Sequence, residues 1–208
     1  MQAARRQLKT VGPAQLSLRA IAREIGVVSS AIYRYVASRD QLITRLILQS
    51  FQELGGAVAE ACARVDSDSA SQFRTWAHAL RGWAQQHPYD WALIYGVPIP
   101  GYAAPDDTIE PARRVNDPVL QLYPNLRPDL VRNAQLDASE KTLAPLRAIL
   151  ETTGPGEYGT TTAMMLAWSS LHGFITLELG GHFEGSAEDT SPVFDALVEQ
   201  LTNQMLAD

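Results

Sequence analysis

Cysteine is nearly absent from this chain. The single thiol, Cys62, excludes an internal disulfide and leaves no Cys pair to hold a metal. Long apolar runs are missing as well: the stretch from Ala163 to Trp168 stops at Ser169, far short of the roughly 20 residues a membrane-spanning helix needs. The opening residues, Met1-Gln2-Ala3-Ala4-Arg5-Arg6, are polar and lead into no apolar segment, so no secretory leader is expected and the chain is placed in the cytoplasm. No alternating strand pattern, internal repeat or low-complexity tract occurs. Catalytic signatures are also lacking, because none of the four histidines lies in an HExxH context and there is no GxSxG, P-loop or GxGxxG segment. Asp90 does lie near His87, but beside an expected helix break. No catalytic residue, metal ligand or cofactor is expected.

With 46% hydrophobic residues in 208, the chain can bury one sizeable core, or a small module plus a larger domain. Its net charge of −6 argues against nucleic acid when read as one number. The distribution reverses that reading. Residues 1–47 hold Arg5, Arg6, Lys9, Arg19, Arg23, Arg34, Arg39 and Arg45 against only Glu24 and Asp40, a balance of +6, and the remainder carries −12. A basic head on an acidic body suits a protein that meets phosphate at one end, although a chance cluster of solvated charges would give the same count.

Helical periodicity dominates, and an all-α fold follows. Leu18, Ile21, Ala22 and Ile25 share the i, i+3, i+4, i+7 spacing of one buried face, Ser17 stands before them as a cap, and Gly26 ends the helix in a left-handed conformation. A second short helix from about Ser29 to Tyr35 buries Ile32 and Val36. Ser38-Arg39-Asp40-Gln41 reads as a capping box, in which the Ser38 hydroxyl and the Gln41 side chain satisfy free amides at the start of a long helix running to about Arg64, with Gly55-Gly56 a weak point. Asp66 to Ser69 is a loop; Phe73, Trp76, Ala77, Leu80, Trp83 and Ala84 form the next stripe, ended by His87-Pro88. Another helix carries Trp91 to Tyr95. The stretch from about 108 to 150 is helical but broken by prolines, and two clear helices follow at about 160–179 and 192–206.

Residues 18–36 have the steric requirements of a helix-turn-helix: small Ala22 at the crossing, Gly26 in the turn, branched Ile32 in the corner. Such a unit lays its second helix in the major groove. These residues resemble the tetracycline-repressor (TetR) family, over Leu16-Ser17-Leu18-Arg19-Ala20-Ile21-Ala22-Arg23-Glu24-Ile25-Gly26-Val27, Ala31-Ile32-Tyr33-Arg34-Tyr35-Val36 and Ser38-Arg39-Asp40-Gln41-Leu42. The resemblance implies a DNA-binding domain over residues 1–46 and a helical effector-binding and dimerisation domain over 47–208. It also implies DNA contacts from Ser17, Arg19, Ser29, Ser30, Ala31, Tyr33, Arg34, Tyr35 and Arg39. Tyr35 and Arg39 are expected on phosphates, with specificity left to Arg19, Ser29, Ser30 and Arg34. Three departures stand out. Val28 replaces a common capping Ser, which shifts the cap to Ser29; Ala37 replaces a common Pro. The roughly ten residues before Gly12-Pro13 make a short first helix, which leaves two readings: a start upstream of Met1, or a thinner core with a weaker grip on DNA.

Residues 73–103 and Trp168-Ser169-Ser170-Leu171-His172-Gly173 resemble the C-terminal domain of a TetR subgroup with a Trp-His-Gly element. That resemblance implies a homodimer in which the helices at 160–179 and 192–206 pair into a four-helix bundle, on a near-palindromic double-stranded operator. A small-molecule effector is expected against Trp83, Trp91, Tyr95, Met164, Trp168 and His172. Large groups at helical spacing more often fill core, and His172 is read first as a packing histidine. The function expected is that of a repressor released by its effector, the rival being a helical ligand-binding protein with a vestigial DNA-binding head.

Overall fold

A computed structural model describes residues 1–66, 68–122, 125 and 158–206, the side chains of 158–162 excepted. The fold is all-α, with no strand among the described residues. The helices are α1 (Gln2–Val11), α2 (Leu18–Glu24), α3 (Ser29–Ile32), α4 (Arg39–Cys62), α5 (Ser69–Gln86), α6 (Pro88–Tyr95), α7 (Ile109–Arg114), α8 (Asp117–Leu120), α9 (Tyr158–Leu179) and α10 (Ser191–Met205), with single 3-10 turns at Pro13–Gln15 and Asp106–Thr108. No described helix is long and apolar enough to cross a membrane. The proline-broken stretch expected to about residue 150 is described only as far as 122 and at 125; Gly154-Pro155-Gly156 lies outside the described residues.

The chain forms two compact units, Met1–Gly55 with Ala84–Val115 and Gly56–Trp83 with Asn116–Asp208. In the first unit, α1 buries Ala3, Ala4 and Leu8 and packs on α2. Helix α4 passes through Gly55 and Gly56 unbroken, because its buried face (Leu42, Ile43, Leu46, Ile47, Phe51, Leu54 and Val58) more than offsets the roughly 1 kcal/mol of propensity that each glycine costs. Helix α6 starts at Pro88, whose fixed φ and missing N–H suit a first helical position. A polar group lies inside this unit. Asp90 of α6, 3% exposed, accepts from the Ser50 hydroxyl of α4 at 2.9 Å and lies 3.6 Å from Nε of Arg5 in α1. Arg5 also donates to Glu53 at 2.7 Å.

In the second unit, α9 and α10 pack on each other, and the α5 stripe foreseen from the sequence is buried at Phe73, Trp76, Ala77, Leu80 and Trp83. Arg81 of α5 is buried and grips Glu178 of α9 through two hydrogen bonds, at 2.9 and 2.6 Å. It donates further to the Thr190 and Ser191 hydroxyls and lies 5.0 Å from the centre of the Phe194 ring. One guanidinium thus joins three elements, satisfied by a carboxylate, two hydroxyls and a ring face, which is what a buried cation requires.

Candidate nucleic-acid interface

The turn after α2 has the hydrogen-bond pattern of a Schellman motif: Val27 N–H donates to the Ala22 carbonyl at 2.9 Å and Gly26 N–H to Arg23 at 3.2 Å. Gly26 has φ +72°, a backbone conformation that a side chain would strain although the space around it is open. Helix α2 begins on Ser17, whose hydroxyl accepts from Ala20 N–H at 3.4 Å and whose own N–H donates to Gln7 Oε1 of α1 at 2.8 Å. Ala22 is fully buried where α2 meets α3, opposite Ile32 and Val36 of the core. Two expectations need correction here. Ile25 is half-exposed rather than part of the buried stripe: it is the C-cap of α2, its N–H still bonded to the Ile21 carbonyl at 3.1 Å, and the chain turns away at Gly26 directly after it. Ser29 does not take over the capping role. Val28, with ψ 141°, is the last extended residue and therefore the N-cap, and no side chain caps α3.

Helix α3 is shorter than expected, four residues, but turns stabilised by Arg34 N–H to Ala31 and by Tyr35 and Val36 N–H to Ile32 carry the chain on to Val36. The capping box opens α4: Ser38 Oγ accepts from Gln41 N–H at 3.1 Å, while Gln41 Oε1 accepts from Ala37 N–H at 2.7 Å, one residue further back than the usual reciprocal bond.

Around α3 the structure gathers most of the residues expected at DNA. Ser29, Ser30, Tyr33, Arg34 and Tyr35 are exposed, Tyr35 at 72%, and Ala31 is half-buried; Arg19 is exposed on α2. Ser17 is half-buried and occupied as a cap. Arg39 behaves differently: Nη2 donates to the Pro13 and Ala14 carbonyls at 3.1 and 2.9 Å, and Nη1 is 3.6 Å from Asp40. Its guanidinium therefore holds the Pro13–Gln15 turn against the start of α4. Among the described residues Arg19 and Arg34 have no ion-pair partner, and neither do Lys9, Arg23 and Arg45. The nearest carboxylate on α2, Glu24, is already paired with Arg6 at 2.6 Å.

The six residues expected to meet an effector fall in two groups. In the first unit Trp91 is buried and Tyr95 half-buried, 4.6 Å apart between ring centres, and Phe51 meets Tyr95 edge-on at 5.9 Å. Burial pushes the Tyr95 phenol well above its ordinary pKa. In the second unit Trp168 stacks on His172 at 4.0 Å, Trp83 is buried on α5, and Met164 is half-buried on α9. His172 is buried, and its Nδ1 meets the Trp168 carbonyl at 2.9 Å. Loss of hydration pushes its pKa down to about 4, so at neutral pH the ring is uncharged and Nδ1 carries the proton that the carbonyl accepts.

A helix-turn-helix whose outer side presents cations with no ion pair among the described residues, in a fold whose described elements are all helical, defines a transcriptional regulator of the helix-turn-helix class. The comparisons narrow this. Residues 1–46 match the model for bacterial regulatory proteins of the tetR family, and residues 73–201 match the tetracyclin repressor-like C-terminal domain. HTH-type transcriptional regulator Rv1816 of Mycobacterium tuberculosis and HTH-type transcriptional regulator Mb1846 of Mycobacterium bovis are each 39% identical to this chain over 197 residues, covering 92% of this chain and 84% of theirs. The chain belongs to the TetR family of transcriptional regulators. Among solved structures, the regulatory protein SCO4313 is similar with TM-score 0.73 and 32% identity over 96% of this chain and 91% of that one. The TetR-family regulator PfmR of Thermus thermophilus, 16% identical over 97% of this chain and 95% of its own with TM-score 0.60, shares the fold.

Proposed function

We propose that the chain is a homodimeric, sequence-specific repressor that a small-molecule effector releases from a near-palindromic operator. The observation that carries the DNA-binding part is the pair Arg19, at the start of α2, and Arg34, just after α3, both exposed and with no ion-pair partner among the described residues. A surface cation left unpaired there is available to a base edge or a phosphate. Ser17, Arg19, Ser29, Ser30, Ala31, Tyr33, Arg34, Tyr35 and Arg39 are the proposed contact set, in which Arg34 reads bases and Tyr35 meets phosphate. The role proposed for Arg39 is narrower than a free phosphate grip: it fixes the backbone from which the phosphate contacts are made.

The dimer reading rests on α9 and α10. On α9, Met165, Leu166, Ser169, Ser170, Gly173, Thr176 and Leu177 are exposed at helical spacing, and Val193 and Ala196 are exposed on α10. A stripe of large apolar and small, uncharged groups suits helix-to-helix contact with a second copy, and a two-fold pair would place two α3 helices on half-sites one or more helical turns apart. For the effector, Trp91 with Tyr95 in one unit and Trp83, Met164, Trp168 and His172 in the other are the proposed contact positions. Release then means that effector and operator weaken each other's binding by the same factor.

The test is a selection of duplexes from a random pool, followed by titration of the selected duplex at several salt concentrations. Arg34→Ala should change base preference, and Tyr35→Ala should weaken all sequences alike while leaving the salt slope unchanged, since it removes no charge. Failure of a folded dimer to enrich any duplex would overturn the reading.

A further inference from the structure

Val28 is the N-cap residue of α3, but its side chain packs into no core and makes no capping bond. It is 70% exposed, against 40% for Val27 beside it, and its backbone is extended. An isopropyl group left in water at this place is explained if another apolar group covers it when the protein is at work. The chemistry of the neighbouring side chains says which one. From Val27 to Tyr35 the chain offers hydroxyls on Ser29, Ser30, Tyr33 and Tyr35, one guanidinium on Arg34, and the apolar groups of Val27, Val28 and Ala31, of which Val28 is the most exposed, with Ile32 buried; it has no amide side chain and no carboxylate. Base edges in the major groove are read by matched groups. Guanine takes Arg or Lys, adenine takes Asn or Gln in a bidentate pair, cytosine takes a carboxylate, and thymine offers its C5-methyl to an apolar side chain. The segment therefore lacks the bidentate reader of adenine and the carboxylate reader of cytosine, and keeps readers for guanine and thymine.

We propose that Val28, with the Ala31 methyl three residues later, is a specificity determinant that reads the C5-methyl of a thymine in each operator half-site. This rests on the DNA-binding reading above. Covering one methyl is worth about as much as burying one methylene, which corresponds to about a 4-fold change in affinity per half-site and about 15-fold for a symmetric pair.

The experiment uses the full chain and the duplex selected from the random pool, with each thymine replaced in turn by uracil, which removes the methyl and leaves the hydrogen-bonding edge intact. The expected result is one thymine per half-site at which uracil weakens the protein by about 4-fold. Val28→Ser should bind thymine and uracil equally at that position, while uracil elsewhere affects it as it affects the unsubstituted protein. Val28→Ala, which shortens the group without adding a hydroxyl, should give an intermediate ratio. Circular dichroism checks that both variants fold. If the protein selects a duplex with steep salt dependence but no uracil weakens it, or if Val28→Ser keeps the thymine preference, the assignment of Val28 is overturned and the DNA-binding reading stands. If no duplex is selected, both fall.

Discussion

Removing the Arg5 guanidinium should cost the first unit far more than a surface cation would. Arg5 lies between two carboxylates, donating to Glu53 at 2.7 Å and lying 3.6 Å from Asp90, and its side chain is only 21% exposed. Two unit charges about 4 Å apart attract by about 4 kcal/mol at an effective dielectric constant near 20. Stranding a buried partner costs about 3–5 kcal/mol, and partial exposure of Arg5 lowers the expectation to about 2–3 kcal/mol. Most of that loss comes from Asp90, which would keep only the Ser50 hydroxyl as a partner. Arg5→Ala in an Asp90→Asn background, where no charge is stranded, should therefore cost about 1 kcal/mol, leaving a coupling of about 1–2 kcal/mol between the two positions. Urea unfolding of the four proteins of this cycle, at neutral pH and one fixed protein concentration, measures it. Additivity of the two substitutions within about 0.5 kcal/mol would refute the reasoning, because it would mean that Asp90 is held by Ser50 and its surroundings without help from α1.

Acid should destabilise the second unit through His172. Its folded pKa, about 4, is below the ordinary value of 6.5, so the unfolded chain binds the proton more readily; stability is full above about pH 6.5 and is lost as pH falls toward 4, by up to about 3 kcal/mol. His172→Gln should flatten that part of a plot of urea midpoint against pH, and an unchanged slope would contradict it. Leu166→Glu should yield monomers in sedimentation or light scattering, since it sets a charge in the exposed apolar stripe of α9, and a persistent dimer would place the interface elsewhere. Ser38→Ala should lower stability by about 1 kcal/mol through loss of the bond to Gln41 N–H, read from the urea midpoint.

The elements that were legible in the sequence are those set by short-range chemistry. Ser17, Gly26 and the Ser38–Gln41 pair act within four residues of themselves, so their bonds can be foreseen from spacing. Ile25 was misplaced because periodicity marks a helical face but not how far packing against it extends, and at the C-cap, just before the Schellman turn, Ile25 is half-exposed. Ser29 was misplaced for a related reason: chemistry favoured a serine cap, but the backbone is already helical at Ser29, which leaves the extended Val28 as the cap. The long-range polar contacts left no signal at all. Arg5 and Asp90 are 85 positions apart and Arg81 and Glu178 are 97 apart, and a charged residue in a helix reads as a solvated face until the fold shows what covers it.

The charge count illustrates what that limit means for function. Eight cations in residues 1–47 suggested a surface for phosphate, but such a count weighs all eight alike. In the structure three of them are engaged within the protein: Arg5 with Glu53 and Asp90, Arg6 with Glu24, and Arg39 with two carbonyls and Asp40. A cation already held by protein groups must give up those bonds to take a phosphate, whereas Lys9, Arg19, Arg23, Arg34 and Arg45, with no ion pair among the described residues, need give up only water and counterions. The engaged three join α1 to α4 and α6, α1 to α2, and the Pro13–Gln15 turn to α4, so they set the position of the α2–α3 pair from which the free ones project. Rigidity and attraction are thus supplied by different members of one basic cluster. Mutating the first kind should lower stability, and mutating the second should alter DNA affinity alone.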